Sequence, residues 1–377
     1  MFLDQKSKEQ FTFILFPFVF TLFLPTFAVQ NTSFHIMIQF QCDYNEGAAP
    51  QIMQRLVETN MEQTIGYGCD DYCEHARQLI RTACDAPEAL VQFLVGGTQT
   101  NATVIASALR PYQGVLCAST GHINVHETGA IEHTGHKVLA LPSDNGLITA
   151  AQVENALKEH FDDGNAEHTV QPGMVYVSYP SEVGTIYKKS QLEEISQVCH
   201  RYGIPLFVDG ARLGYGLMSP EADLTLKDLA HIADVFYIGG TKQGTLFGEA
   251  LVINDKNIQK DFRYNLKQNG GMLAKGRLLG IQFETMFTDN LYFDLARHAI
   301  DEAMRIKDAL TAKGYKFMKE SPTNQQFPIM TNEKYAELSK DFLFDYWCRM
   351  DDEHVAVRIC TSWGTKKENV DKLIERL

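Results

Sequence analysis

Two short apolar segments of this 377-residue chain each lead to a residue that can take part in chemistry. Residues 206–208 (Leu-Phe-Val) run into Asp209, and residues 235–238 (Val-Phe-Tyr-Ile) lead through Gly-Gly-Thr to Lys242. Apolar, β-branched and aromatic runs of this length are typical of buried strands in a parallel sheet. Because ligands bind outside the carboxyl ends of such strands, we expect the Asp209 carboxylate and the Lys242 amine to face one crevice.

An amine and a carboxylate at adjacent strand ends suit the chemistry of pyridoxal 5'-phosphate (PLP). The lysine condenses with the cofactor aldehyde, and the acid pairs with the pyridinium nitrogen so that the ring can accept electrons. Either feature alone is common in ordinary loops, since Asp-Gly after a strand is a turn signal. The two together, with Ala211 and Arg212 completing Val-Asp-Gly-Ala-Arg-Leu, favour a cofactor site.

A glycine-rich turn earlier in the chain is a candidate phosphate site. The predicted strand at 90–95 leads into Gly96-Gly97-Thr98-Gln99 and an alanine-rich helix that ends near Leu109. Free N–H groups and the helix dipole attract anions at such a start, and Thr98 adds a hydroxyl. A plain capping turn has the same pattern. No P-loop lysine is present, which argues against a nucleoside triphosphate. We expect Gly97, Thr98 and Gln99 to contact the cofactor.

His122 and His126 are candidate proton acceptors. They are four residues apart and would share one face of a helix. The pair could also ligate a metal, but no third ligand is evident, and no metal is predicted. Since an imidazole can take up a proton near neutral pH, either histidine, or a water molecule held by them, could serve as a general base.

Composition narrows the range of partners and compartments. The chain has 34 Lys and Arg against 47 Asp and Glu, a net charge of −13, which argues against nucleic acid or an anionic membrane as partner. The eight cysteines include no CxxC pair, so reduced thiols and a cytoplasmic location are expected. Residues 1–36 form an apolar leader that is either signal-like or a misassigned start before Met37, so export is the alternative.

From about Met37 to Leu377 the chain resembles the threonine aldolase and β-eliminating lyase family of fold-type-I PLP enzymes. The motif at 208–213 carries this resemblance, which extends to low-specificity L-threonine aldolases. It implies a PLP-dependent transferase-like (aspartate aminotransferase-type) large domain with three α/β/α layers at 37–296. A smaller α+β domain would follow at 297–377. The alternation of strands and helices between residues 90 and 253 independently predicts a mostly parallel sheet.

The resemblance also implies roles for individual residues. Lys242 would bond to the cofactor, Asp209 would pair with its ring nitrogen, and His122 would stack on the ring. Thr241 and Arg212 would lie against the cofactor as well.

Four residues are expected to contact the substrate. Arg358 would hold its carboxylate, with Arg212 as second candidate. Asp43 on an N-terminal arm and Tyr67 would line the site, and the tyrosine would come from a neighbouring subunit. A homodimer or homotetramer is therefore expected.

The reaction implied is cleavage of a β-hydroxy-α-amino acid, L-threonine or L-allo-threonine, to glycine and acetaldehyde. One alternative keeps the cofactor but eliminates a β-substituent from another amino acid, with Lys242 removing the Cα proton. A non-catalytic protein that retains the fold is an alternative of another class. The complete Asp209–Lys242 pair argues against the last.

Overall fold

The computed structural model of the protein describes residues 37–377, and all elements below lie in that range. The strands, in chain order, are β1 (Ile38–Gln39), β2 (Leu90–Leu94), β3 (Gln113–Ala118), β4 (Val138–Leu141), β5 (Gln171–Ser178), β6 (Leu206–Asp209), β7 (Val235–Gly239), β8 (Glu249–Ile253), β9 (Phe317–Lys319), β10 (Gln325–Thr331), β11 (Phe342–Leu343), β12 (Asp345–Arg349) and β13 (His354–Cys360).

The helices alternate with these strands through most of the chain. They are α1 (Pro50–Glu58), α2 (Asp71–Cys84), α3 (Gly97–Ala108), α4 (His122–Val125), α5 (Ala130–His133), α6 (Ala150–Phe161), α7 (Lys189–Tyr202), α8 (Leu213–Leu217), α9 (Leu226–Ile232), α10 (Lys256–Gln259), α11 (Phe262–Gln268), α12 (Arg277–Met286), α13 (Leu291–Ala312), α14 (Asn332–Leu338) and α15 (Lys367–Arg376).

A seven-stranded sheet in the order β2-β8-β7-β6-β5-β3-β4 forms the central layer. In this sheet β8 runs antiparallel to both of its neighbours, β2 and β7, and the other neighbouring strands pair in parallel. All residues of β6 and β7 are buried, which explains their continuous apolar sequences. These two strands are adjacent and parallel, with Phe207 opposite Val235. Their carboxyl ends therefore meet at one edge, as predicted.

Helices cover both faces of the central sheet and bury two separate clusters of apolar side chains. Val208 packs in the cluster that contains Ile80 of α2 and Leu192 of α7. Its neighbour Phe207 points the other way, into the cluster that contains Val104 of α3. This alternation follows from the two-residue repeat of a strand. The three-layer α/β/α architecture expected from the sequence is confirmed.

A second, antiparallel sheet in the order β12-β13-β10-β9 is built from the last part of the chain. The N-terminal arm is attached to this part. β1 pairs in parallel with β11, and the Phe40 N–H donates to the Leu343 carbonyl at 2.9 Å. The Phe40 carbonyl in turn accepts from the Cys360 N–H at 2.7 Å. These bonds fix the position of the residues that follow the arm, including Asp43.

The structure covers only part of the predicted division of the chain into a leader and two domains. The leader at 1–36, with its signal-like and misassigned-start interpretations, lies outside the described residues. Residues 37–377 form one compact unit. The boundary predicted between 296 and 297 falls within α13 and stays a prediction.

None of the helices between residues 37 and 377 combines the length and apolar character that a membrane crossing needs.

The close approach of β7 to the turn after β6 can be tested at Gly210. A Cβ at this position would lie 1.9 Å from the Tyr237 carbonyl oxygen. Since the backbone of β7 cannot easily move away, we expect Gly210→Ala to lower the free energy of unfolding by about 1–3 kcal/mol, the usual cost of overpacking. Gly164→Ala is the control, because its Cβ would meet nothing within 4 Å. Urea denaturation followed by circular dichroism gives both values, and equal midpoints would contradict the tight approach.

Candidate active site

A cavity of about 130 Å³ lies at the edge of the sheet where β6 and β7 end. It is lined by Gly97, Thr98, His122, Ser178, Pro180, Glu182, Asp209, Ala211, Arg212, Tyr237 and Lys242. The cavity thus brings together six of the residues that the sequence predicted. A wider cleft of about 640 Å³ beside Arg55 and Glu284 contains none of them, so the smaller cavity is the candidate active site.

Asp209 is buried at the end of β6 and is surrounded by hydrogen-bond donors. Its Oδ2 accepts from the Tyr176 hydroxyl at 2.5 Å and from Asn101 Nδ2 at 3.2 Å, and its Oδ1 accepts from the Ala211 N–H at 3.0 Å. Burial by itself raises the pKa of a carboxyl group. The positive potential of His122 and the hydrogen bonds outweigh burial, so the pKa of Asp209 is lowered. The group is a carboxylate at neutral pH.

The Lys242 amine faces the cavity and, among residues 37–377, has no hydrogen bond or salt bridge. Burial and repulsion by Arg212 lower its pKa, although Asp43, Glu249 and Asp209 oppose the shift. A lysine with a lowered pKa is more readily the neutral nucleophile.

The turn before Lys242 is tied to a buried acid on β8. Glu249 accepts from the Thr241 hydroxyl at 3.0 Å and from the Gly240 N–H at 3.2 Å. Burial raises the pKa of Glu249 to about 8. Thr241 itself does not line the cavity and instead fixes the turn that presents the lysine.

Helix α3 begins at Gly97 and its cap residue Gly96 provides no side-chain acceptor. The first N–H groups of the helix are therefore left for another partner. Thr98 lines the cavity beside them. The Gln99 side chain is engaged elsewhere, since it accepts from the Val95 N–H at 3.2 Å and donates to the Asn269 carbonyl at 3.1 Å. Its backbone N–H remains available at the helix start.

The His122 ring is oriented by a buried acid. Its Nδ1 lies 2.8 Å from Glu127 Oε1, which also accepts from Asn101 Nδ2 at 2.7 Å. Asn101 thereby links His122 to Asp209. Burial lowers the pKa of His122, but Glu127 and Asp209 outweigh it and the pKa is raised.

His126 has a different environment. Helix α4 ends at Val125, and His126 follows as its exposed cap residue, with its ring centroid 5.5 Å from that of His122. It lies outside the residues that line the cavity. Burial of part of the ring and repulsion by His122, Arg358 and Arg212 lower its pKa.

Arg212 lines the cavity and is held by Asp43. The guanidinium donates to both Asp43 oxygens, at 2.6 Å from Nε and 3.0 Å from Nη2. Asp43 is fully buried and also accepts from Asn324 Nδ2 at 2.9 Å. Burial opposes ionisation of Asp43, but Arg212 outweighs burial and the pKa is lowered. Asp43, expected against the substrate, thus contacts the arginine that reaches the cavity.

Arg358 and Tyr67 lie outside the cavity lining. Arg358 on β13 pairs with Asp345 at 2.7 Å and lies over the Trp347 ring. Tyr67 is exposed, and the Lys267 ammonium lies 4.9 Å from its ring centroid.

Several site residues were not singled out from the sequence. They are Asn101, Glu127, Tyr176, Ser178, Glu182 and Tyr237. Glu182 lies in the turn after β5, and its position just beyond the carboxyl end of a sheet strand was a signal that the sequence analysis did not use. Asn101 and Glu127 gave no signal in the sequence, because nothing in their spacing links them to Asp209.

The residues present fit PLP. The Lys242 amine, which has no partner among residues 37–377, is available to bond to the cofactor aldehyde. The buried, ionised Asp209 suits the ring nitrogen, and the uncapped start of α3 suits the phosphate. The donors and acceptors complement the three polar ends of the cofactor.

The fold and this arrangement define an α/β enzyme of the aspartate aminotransferase type. Histidinol-phosphate aminotransferase from Clostridium acetobutylicum shares the fold, with a TM-score of 0.68 at 12% identity over 90% of this chain and 98% of that chain. Residues 39–333 match the beta-eliminating lyase family, and the chain belongs to that family. Members of the family are PLP-dependent lyases, so the chain is assigned as an enzyme.

Relatives with higher identity are threonine aldolases. A low specificity L-threonine aldolase of Pseudomonas aeruginosa is 30% identical over 351 residues, which are 89% of this chain and 95% of that protein. The solved structure of threonine aldolase from Leishmania major is 44% identical, with a TM-score of 0.87 over 90% of this chain and 98% of that chain.

Removal of Asp43 would leave the guanidinium of Arg212 buried without its ion-pair partner, which should destabilise the folded protein. We expect Asp43→Ala to lower the free energy of unfolding by about 3–5 kcal/mol at pH 7. Asp43→Leu combined with Arg212→Met should recover most of this loss, since apolar residues of similar volume replace buried pairs well. Urea denaturation measures each variant.

The pH dependence of this loss has a defined sign. Because the folded pKa of Asp43 is lowered, the pair contributes stability above the ordinary carboxyl pKa and loses it as pH falls through the folded value. The difference between wild type and Asp43→Ala should therefore shrink in acid. Asp352→Ala, which removes an exposed ion pair with Arg349, is the control and should change stability little. A similar loss in both variants would contradict the analysis.

Proposed function

We propose that the protein is a PLP-dependent aldehyde-lyase that cleaves L-threonine and L-allo-threonine to glycine and acetaldehyde. The observation that carries this proposal is the convergence of the Lys242 amine and the Asp209 carboxylate on one cavity. The threonine aldolases from Pseudomonas aeruginosa and Leishmania major support the choice of substrate.

The cofactor would be held at three points. Lys242 would bond to it, Asp209 would pair with its ring nitrogen, and Gly97, Thr98 and the first N–H groups of α3 would bind its phosphate. His122, oriented by Glu127, lies against the ring. When bound, PLP supplies an electron sink for the bond that breaks at the substrate Cα.

The arginines would orient the amino acid substrate. Asp43 fixes two donors of Arg212 and leaves Nη1 without a partner among residues 37–377. A planar guanidinium held in this way suits a carboxylate. Arg358, the first candidate from the sequence, lies outside the cavity lining, but its Nε is buried without a hydrogen-bond partner among residues 37–377.

The working unit is proposed to be a homodimer or homotetramer in the cytoplasm. Val57, Met61 and Ile65, which precede Tyr67, expose large apolar side chains that a second subunit could cover. In the described chain all eight cysteines are free thiols, which suits a reducing compartment.

The test of function is an assay of purified protein supplied with PLP. Wild type should show a visible absorbance band, release acetaldehyde from L-threonine, and retain a borohydride-reduced label on the peptide that contains Lys242. Lys242→Ala should lose the label and most turnover, whereas Lys158→Ala, at an exposed helix position, should keep both. A label on another lysine would contradict the assignment. Pyruvate from L-serine, without glycine from L-threonine, would indicate β-elimination instead.

Subunit complementation tests whether Tyr67 acts across an interface. We expect Tyr67→Ala and Lys242→Ala to be inactive separately and to regain part of the activity after verified subunit exchange. In the mixed dimer one site receives both intact residues, while the other lacks both. Failure to recover activity would place Tyr67 in the site of its own subunit. Two Lys242→Ala preparations mixed together are the control.

A further inference from the structure

Glu182 is a half-buried acid of the cavity that has no role in the proposed function. It follows β5 and lines the cavity together with Lys242 and Asp209. Its Oε1 accepts from the Ser178 hydroxyl at 2.6 Å and from the His122 N–H at 2.9 Å. These two bonds fix the direction of the side chain.

The second oxygen of Glu182 has no partner. Oε2 is shielded from solvent and makes no hydrogen bond within residues 37–377. An unsatisfied buried carboxylate oxygen is costly, and such an atom in a native structure calls for an explanation. A substrate hydroxyl that enters the cavity would provide the missing donor.

The charges around Glu182 favour a basic carboxylate. Burial, followed by the negative potential of Asp209, raises its pKa, while the Ser178 bond and His122 oppose the shift without cancelling it. The other titratable groups that feel Glu182 are Cys117, Tyr176 and Tyr187, whose pKa values are themselves raised, so they stay neutral. No lysine or arginine forms a salt bridge with Glu182 in the described chain. A carboxylate with a raised pKa is a better proton acceptor near neutral pH.

The two histidines are less suited to this task. His122 Nδ1 is engaged by Glu127 and is therefore not free to accept a proton from the substrate. His126 is exposed and does not line the cavity. The cavity geometry therefore favours Glu182 over both histidines as the proton acceptor.

We propose that Glu182 Oε2 accepts the proton of the substrate β-hydroxyl during cleavage, an inference that rests on the proposed aldolase function. As the O–H bond breaks, the proton moves to Oε2 and the oxygen electrons form the C=O bond of acetaldehyde. The Cα–Cβ bond breaks and leaves its electron pair at Cα, where the cofactor ring disperses it. Uptake of one proton at Cα then completes glycine, which balances the proton lost from oxygen.

Glu182→Gln separates this role from a structural one. The amide oxygen can still accept from Ser178 and from the His122 N–H, but the side chain cannot take up a proton. Two measurements need the cofactor site without a β-hydroxyl: the change in visible absorbance when glycine binds, and exchange of the glycine α-proton for deuterium, followed by NMR. We expect both to stay within about threefold of wild type, while kcat for L-threonine falls by about 100-fold or more, the contribution of a general base.

Two further variants make the test specific. Glu182→Asp keeps a carboxylate and should retain more cleavage than Glu182→Gln. His126→Gln is the matched control and should cleave L-threonine at close to the wild-type rate. Circular dichroism checks that each variant is folded.

Contrary outcomes are distinguishable. Glu182→Gln that cleaves L-threonine at nearly the wild-type rate would overturn the assignment alone. Equal loss of glycine binding, exchange and cleavage would also overturn it, because Glu182 would then only support the site. Wild type that exchanges the glycine proton but does not cleave L-threonine would overturn both the assignment and the proposed function.

Discussion

The ionised carboxylate of Asp209, buried at the carboxyl end of β6, is the interaction on which the site depends. A buried charge without partners costs many kcal/mol, so its surroundings must supply donors. Tyr176 and Asn101 do so directly. Asn101 also reaches Glu127, which holds His122. One requirement, keeping this carboxylate ionised, thus accounts for the positions of side chains from β5, α3 and the segment after α4.

The buried ion pair between Asp43 and Arg212 connects the two ends of the described chain to the same cavity. Asp43 arrives on the N-terminal arm, which is hydrogen-bonded to the C-terminal strands, and it holds Arg212. Asn324, next to the start of β10, donates to the same carboxylate. A displacement of strands in either sheet would therefore change the position of Arg212. The cavity therefore depends on contacts among three distant parts of the sequence.

Membership in the beta-eliminating lyase family explains the Asp209–Lys242 pair but not every acid around it. Three acidic side chains, those of Asp209, Glu127 and Glu182, lie around His122. Asp209 is satisfied by donors, and Glu127 is used to orient the imidazole. Glu127 and Glu182 each keep one oxygen without a hydrogen-bond donor among residues 37–377, but of the two only Glu182 lines the cavity. The same fold can thus carry acids with separate tasks, set by the partners of each acid and by whether it reaches the cavity.

The sequence by itself determined the elements and the central pair of the site. Buried parallel strands are continuous apolar runs, and adjacent parallel strands deliver their carboxyl ends to one edge of the sheet. These are local patterns joined by one topological rule, so Asp209 and Lys242 could be placed without coordinates. Only the tertiary structure decided that Asp43 binds Arg212, that His126 lies outside the cavity, and that Glu182 lines it. Such contacts join segments far apart in the chain, and no residue spacing encodes which buried donors and acceptors will meet.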